Sequence, residues 1–293
     1  GRKGILNEFL KTLPLLDKTT KKKLGAKINK LKEEVETNIQ NRKEQLQAKK
    51  YKIRFSEIDK SLPGNKPKLG HLHPTTEVLR SINSFFRYYG YSVYEGPEIE
   101  TDEYNFEKLN LPLNHPARDL ADTLYISEPK FLLRTHTSSV EIRAMVKEKL
   151  PLRIVVTGKV YRNETSNVTN NSMFYQYEGL LIDKNVSMAD LKGTLISFVK
   201  FLYGDNIRIR YRCKYYPQVE PGVGLDIQCT FCNGSGCAVC KDRGWIEILG
   251  AGMVHPNTLK VCDIDDKLYS GFAFGMGLDR LVMLKYNIKD IRR

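Results

Sequence analysis

No apolar run in this 293-residue chain approaches the length of a membrane-spanning helix, and no basic segment followed by an apolar one opens it like a secretory leader. Those absences remove the usual signals of helical membrane insertion and export. Internal repeats are missing too, which excludes solenoid arrays. Strands do not alternate regularly with helices, which argues against a doubly wound parallel sheet. Acidic residues are in deficit, with 34 Asp and Glu against 47 Lys and Arg, a formal net charge of +13. What remains is ordinary for a water-exposed globule: 41% hydrophobic and 28% charged residues, with length for one large domain plus an appendage.

The excess charge is concentrated. Residues 1–55 hold 16 Lys and Arg against 6 Asp and Glu, a net of +10, which leaves +3 for the rest. A basic arm on a nearly neutral body suits a polyanion, through phosphate neutralisation and counterion release; a solvated lysine-rich helix face is the plainer reading. Within the arm Leu24, Ile28, Leu31, Val35, Ile39 and Leu46 form a helical stripe. So narrow a stripe needs a partner, and an antiparallel helix containing Ile5, Phe9 and Leu10 is expected to supply it, with Pro14 and Asp17–Lys23 at the bend. The expected division is a helical hairpin over 1–55, a turn-rich linker over 56–72, and a catalytic domain over 73–293. The chain opens at Gly1 without a methionine and in mid-pattern, so a further N-terminal piece is expected.

From His73-Pro74 the pattern changes. A helix carrying Val78, Leu79, Ile82, Phe85 and Phe86 is expected to end at Gly90, before a short strand at Tyr91–Tyr94. Later strands are expected at Phe131–Arg134, Arg153–Tyr161, Phe174–Asp183, Ile207–Arg212, Trp245–Met253 and Gly271–Gly275. Helices are expected at Val140–Lys149, Met188–Tyr203 and Leu278–Tyr286. This is an α+β pattern: an antiparallel sheet flanked by helices.

Two arginines stand in distinctive settings. Arg162 lies in Tyr161-Arg162-Asn163-Glu164, and Arg280 closes Gly275-Met276-Gly277-Leu278-Asp279-Arg280. Glycines before Arg280 let backbone approach a ligand, and a guanidinium there is a permanent planar charge suited to phosphate oxygens. Between them Phe174, Gln176 and Glu178 share one strand face, offering acceptors for an amine. A nucleoside triphosphate plus a small amine-bearing substrate would suit this equipment. Elsewhere Cys229-x₂-Cys232-x₄-Cys237-x₂-Cys240 has the spacing of a four-thiolate zinc knuckle; two reduced or oxidised pairs are the alternative. Cys213 and Cys262 have no evident partners.

An Arg-x-Glu followed by a C-terminal Gly-x-Gly-x-x-Arg resembles motifs 2 and 3 of class II aminoacyl-tRNA synthetases. Leu133-Arg-Thr-His136-Thr-Ser138, Leu249-Gly-Ala-Gly-Met-Val-His255-Pro256 and Ser270-Gly-Phe-Ala-Phe-Gly-Met-Gly277 narrow the likeness. Together they resemble the alpha subunits of bacterial phenylalanyl-tRNA synthetases over nearly the whole chain. The resemblance implies a class II sheet with an N-terminal hairpin that contacts tRNA, and activation of phenylalanine with ATP and Mg²⁺. It also implies transfer to tRNA(Phe), a beta subunit in an (αβ)₂ assembly, and a cytoplasmic setting. By that likeness Arg162 bridges carboxylate and α-phosphate, while Arg280 holds the γ-phosphate and covers adenine. Phe174 stacks on the base and Glu164 meets its edge. His136, Ser138, Gln176 and Glu178 surround the amino acid, with Tyr216, Gln218 and Ala273 around its ring; Glu220 helps hold Mg²⁺. Helix, strand and proline after His73 match motif 1, which builds a subunit interface.

This chain departs from the family pattern at Gln218, where relatives carry an aromatic residue, and at Asn170, where many carry histidine. Relatives carry a short tail beyond the point where this chain stops, and many lack the cysteine cluster. Two other readings stay open at this point: a catalytically silent synthetase-like tRNA-binding protein, and an adenylate-forming ligase for another amino acid or acceptor.

Overall fold

The computed structural model describes residues 4–56, 64, 66–119, 122–127, 130–167 and 170–292. They fall into two compact units, Gly1–Gly70 and His71–Arg293. Residues 57–63 and 65 of the expected linker, and Val168 and Thr169 after Arg162, lie outside the described residues.

The first unit has two unequal helices, α1 (Ile5–Thr12) and α2 (Lys18–Ser56). The bend is tighter than expected. Leu13–Leu15 form a single 3₁₀ turn, and Asp17 caps α2 by accepting from the Thr20 amide at 3.1 Å. Residues 18–23 are therefore the first turns of α2, because an Asp cap starts a helix where a lysine-rich run had read as a bend. With eight residues, α1 covers only the beginning of α2. Ile28 is buried, but Leu31, Val35, Ile39 and Leu46 are between 43% and 53% exposed. Most of the apolar stripe has no partner among the described residues of this unit.

The second unit is layered by strand alternation. Its elements run α3 (Pro74–Tyr88), β1 (Ser92–Tyr94), β2 (Ile99–Thr101), α4 (Asp102–Asn105), β3 (Tyr125–Ser127), β4 (Phe131–Leu133) and α5 (Ser138–Lys147). Then follow β5 (Leu152–Tyr161), β6 (Met173–Asp183), α6 (Met188–Tyr203), β7 (Ile209–Cys213), β8 (Val219–Gln228), β9 (Trp245–Val254), α7 (Pro256–Val261), β10 (Ser270–Gly277) and α8 (Leu278–Tyr286). Seven strands form one sheet in the order β1-β5-β6-β10-β9-β8-β7; β2, β4 and β3 form a small second sheet. The large sheet is antiparallel except at its edge, where β1 runs parallel to β5. The expected antiparallel sheet flanked by helices is present, with one parallel strand added at its edge.

One face of the sheet meets α3, α6 and α8 through Phe86, Phe198, Tyr177, Phe272, Phe274 and Leu281. The other meets α5 and neighbouring loops through Val140, Ile142, Ile154, Leu180 and Ile182. On β6 that second face changes character along its length. Leu180 and Ile182 are buried in the core, whereas Gln176 and Glu178 line a cavity. The apolar half of the strand anchors the polar half.

Candidate functional site

Directly paired residues of antiparallel strands share a face. Gly275 pairs with Glu178, Gly277 with Gln176, Ala273 with Gly252, and Gly250 with Gly275. The floor around Gln176 and Glu178 is therefore built of glycine and alanine. A methyl group added at Gly275 would lie 3.2 Å from Cγ of Glu178, so a larger residue there would press on the acceptor pair. Above this floor is a cavity of about 460 Å³.

Its inner end is closed and rich in acceptors. Ser138 donates to Glu178 Oε2 at 2.6 Å, and the Gln176 amide donates to Oε1 of the same carboxylate. Gln176 Oε1 has no partner, although it is buried. Burial raises the Glu178 pKa from 4.5 to about 7, against the hydrogen bonds from Ser138 and Thr137. One turn into α5 lies Glu141, a second buried carboxyl with an unpartnered Oε1. Burial, and then the nearby Glu178 charge, push its pKa well up. Next to His136, whose Nδ1 is buried without a partner, the Asn105 side-chain amide donates to Thr135 Oγ1 at 3.0 Å, and Asn105 Oδ1 accepts from the Thr135 backbone amide. Burial, aided by the Arg162 charge, takes the His136 pKa down to about 3. The ring is neutral near pH 7, which suits binding and not proton donation.

The outer end carries the cations. Arg162, at the end of β5, stacks over Phe174 with Cζ 5.0 Å from the ring centroid. Glu164 stands 4.0 Å from Arg162 and accepts from the Asn170 amide at 3.0 Å, so Asn170 positions the acid. Arg280 enters from the first turn of α8. Its neighbour Asp279 accepts from the Tyr175 backbone amide at 2.6 Å, which pins α8 to the strand that carries Phe174 and Gln176. A cavity bounded by two guanidinium groups at one end and carboxyls at the other can orient a molecule anionic at one side and cationic at the other.

The third wall comes from the loop before β8. Tyr216 lies on Gly250, and Asn110 fixes the loop by donating to the Pro217 carbonyl at 2.7 Å. Gln218 lines the cavity, and its carbonyl accepts from the His255 amide at 3.0 Å. Lys214 is ion-paired with Glu247 at 2.5 Å, and Glu247 also accepts from Arg212 at 2.7 Å.

Arg162, Glu164, Phe174, Arg280, His136, Ser138, Gln176, Glu178, Tyr216, Gln218 and Ala273 all line this one cavity. Glu220 does not. Its side chain is 76% exposed with its carboxylate 3.3 Å from His255 Nε2, and the pairing of β8 with β9 is irregular between Val219 and Gly222. Glu141, Lys214, Glu247 and Asp279 were missed; only Asp279 carried a signal, its place inside the Gly-x-Gly-x-x-Arg run. None of Cys229, Cys232, Cys237 and Cys240 lines the cavity, but they form their own cluster, with ligand atoms within 4.8 Å of one another.

Comparison with known proteins agrees with this geometry. Residues 57–293 match the model of the tRNA synthetases class II core domain (F), and residues 1–55 that of the aminoacyl tRNA synthetase class II N-terminal domain. A phenylalanine–tRNA ligase alpha subunit of Caldicellulosiruptor saccharolyticus is 47% identical over 100% of this chain and 86% of its own length. The Bacillus subtilis protein of the same name is 48% identical over 100% of this chain and 86% of its own length. Among solved structures, pyrrolysyl-tRNA synthetase from Desulfitobacterium hafniense superposes with a TM-score of 0.55 at 13% identity, covering 74% of this chain and 71% of that one, a likeness of fold alone. Sequence, sheet order and cavity converge, and the chain belongs to the phenylalanine–tRNA ligase alpha-subunit family, with a class II aminoacyl-tRNA synthetase core.

Proposed function

We propose that the chain is the catalytic alpha subunit of a phenylalanine–tRNA ligase. A carboxylate oxygen of phenylalanine attacks the α-phosphorus of ATP, and the bond to the bridging oxygen breaks with release of pyrophosphate. The 3′-terminal adenosine hydroxyl of tRNA(Phe) then attacks the acyl carbon, and AMP leaves. The observation that carries this reading is the shared cavity that joins Arg162 and Arg280 to the buried acceptors Gln176 and Glu178.

Catalysis of this kind rests on positioning and neutralising charge. Glu178 and the free Oε1 of Gln176 take the substrate ammonium, with Ser138 orienting the carboxylate. Arg162 bridges the substrate carboxylate and the α-phosphate, where negative charge accumulates. To do so its guanidinium leaves the Phe174 ring, which frees that face for adenine. Arg280 meets the outer phosphates, and Glu164 meets the base edge. Tyr216, Gln218 and Ala273 enclose the phenyl ring. His136, neutral, completes the wall beside the ammonium. Mg²⁺ belongs with the triphosphate oxygens. Glu220, whose exposed carboxylate lies 3.3 Å from His255, would help hold it.

The partner is a beta subunit in an (αβ)₂ assembly, in the cytoplasm, and the basic arm reaches tRNA. Deleting residues 1–55 raises KM for tRNA at least tenfold while leaving phenylalanine-dependent pyrophosphate exchange intact; loss of both would contradict that division. The function itself is tested by ATP–pyrophosphate exchange with the co-expressed two-subunit complex across a panel of amino acids. Phenylalanine should dominate. Silence with every amino acid would leave a tRNA-binding protein, and dominance of another would make this a different ligase.

A further inference from the structure

The turn that joins β8 to β9 runs from Cys229 to Gly244 and contains four of the chain's six cysteines. Their sulfurs form a closed cluster. Cys229 and Cys237 are 3.8 Å apart, Cys232 and Cys240 3.8 Å, and Cys237 and Cys240 3.7 Å. A disulfide needs about 2.05 Å, so these are not bonded pairs. A tetrahedron of thiolates around Zn²⁺ with Zn–S of about 2.3 Å has edges of about 3.8 Å. The cluster has the size of that tetrahedron.

The backbone around the cysteines is arranged for thiolates. The Gly236 amide donates to Cys232 Sγ at 3.2 Å, and the Cys237 and Gly244 amides donate to Cys240 Sγ at 3.2 and 3.3 Å. Donors aimed at sulfur are the outer shell that orients metal ligands and spreads their charge. The turn also holds Asn233, Lys241 and Asp242 at φ of 52°, 52° and 57°. Non-glycine residues in the left-handed region cost free energy, and several in one short turn require something that over-determines it.

We propose that Cys229, Cys232, Cys237 and Cys240 hold one Zn²⁺, and that this ion fixes the β8–β9 turn and with it the cavity wall. The connection is short. The Cys229 amide donates to the Gly244 carbonyl at 2.9 Å, and Gln228 then pairs with Trp245 to begin the ladder. Two residues after Trp245, Glu247 lines the cavity and pairs with Asp226 across the strands. Arg212 donates to both of these carboxylates. The ion has no open coordination position and takes no part in the reaction. The proposal rests on the donor set, so it stands or falls apart from the assigned ligase activity.

The test is a metal analysis of the full chain co-purified with its beta subunit, grown with zinc and prepared without chelators or a metal-affinity column. One zinc per alpha chain is expected. The double variant Cys232→Ser/Cys237→Ser should lose at least nine-tenths of it, a tenfold drop, while Cys213→Ser/Cys262→Ser keeps it. Should the first variant fail to fold, cobalt exchanged into the native protein gives the reading instead, through the visible bands of a tetrahedral thiolate site. Chelation should also lower Tm and change the emission of Trp245, the alpha chain's one tryptophan, whose ring lies 4.5 Å from Arg210 Cζ. Native protein without zinc, iron in its place, a mass showing disulfides among these cysteines, or cobalt without thiolate bands would overturn the proposal.

Discussion

At the inner end of the cavity Glu178 and Glu141 are 4% and 5% exposed, whereas at the outer end the Arg162 side chain is 42% exposed and Arg280 reaches solvent. The carboxyls sit on the buried half of a central strand and on a buried helix turn, with an oriented hydroxyl and amide around Glu178. The guanidinium groups sit at element ends, and Arg162 rests on the Phe174 ring. The difference reflects solvation. A buried carboxylate must be fixed in place because its charge is costly there, while an arginine keeps its charge in water and can swing. On the proposed reading the ammonium site is formed before substrate arrives, and the phosphate site is completed by the nucleotide.

Arg162→Ala removes the charge that meets the developing anion and should lower phenylalanine-dependent exchange by about 10²–10³-fold, mainly in kcat. An effect confined to KM would place Arg162 in ground-state binding only. Glu178→Gln keeps the shape of the inner end but removes its charge, and should raise KM for phenylalanine by about 10²-fold, the cost of an unpaired buried ion.

Glu178 also sets a pH dependence. Its pKa is raised by burial, so in the free folded chain the proton is held up to about pH 7, compared with 4.5 for an ordinary carboxyl. Between those values, lowering pH favours the folded free chain at this group, because the folded form binds the proton more tightly. Binding an ammonium needs the ionised form. kcat/KM for phenylalanine should therefore fall as pH drops below about 7, by up to tenfold per unit, and the Glu178→Gln profile should be flat there. A wild-type profile that is flat between pH 5.5 and 7, on the order of the range set by this group, would remove Glu178 from the ammonium site.

Smaller effects probe the ring-binding wall. Ala273→Gly should improve the use of para-substituted phenylalanines by about 10-fold relative to phenylalanine, since deleting one methyl leaves space past the ring. Equal discrimination by both proteins would move Ala273 away from the slot. Gln218→Phe should sharpen selection against tyrosine and leucine by only a few-fold, because one polar amide beside a phenyl ring is partly compensated by N–H to ring contact. Unchanged ratios would show that Gln218 packs against something else.

Much of the cavity was legible because its residues lie in ordered motifs on strands of strong period. β5 and β6 have long alternating or apolar runs, and Gln176 and Glu178 share a face by count alone. β8 was not read as a strand because Pro221, Gly222 and Gly224 interrupt its pattern; its pairing is imposed by β7 and β9. Glu141 looked like any surface acid of a helix, since burial on nearly all sides of α5 comes from tertiary packing. In the arm it was the bend that was read too long: α1 ends at Thr12 before a proline-containing turn, and α2 already begins at Lys18. Lys214 and Glu247 meet across strands 33 positions apart, a separation no local pattern carries.

A structure of the two-subunit complex with a non-hydrolysable phenylalanyl-adenylate analogue would decide the matter. The ammonium should lie between Gln176 and Glu178, the phosphate mimic within hydrogen-bonding distance of Arg162, and adenine against Phe174 with Arg280 on its other side. An analogue seated elsewhere, or bound here with Arg162 still stacked on Phe174, would contradict the account.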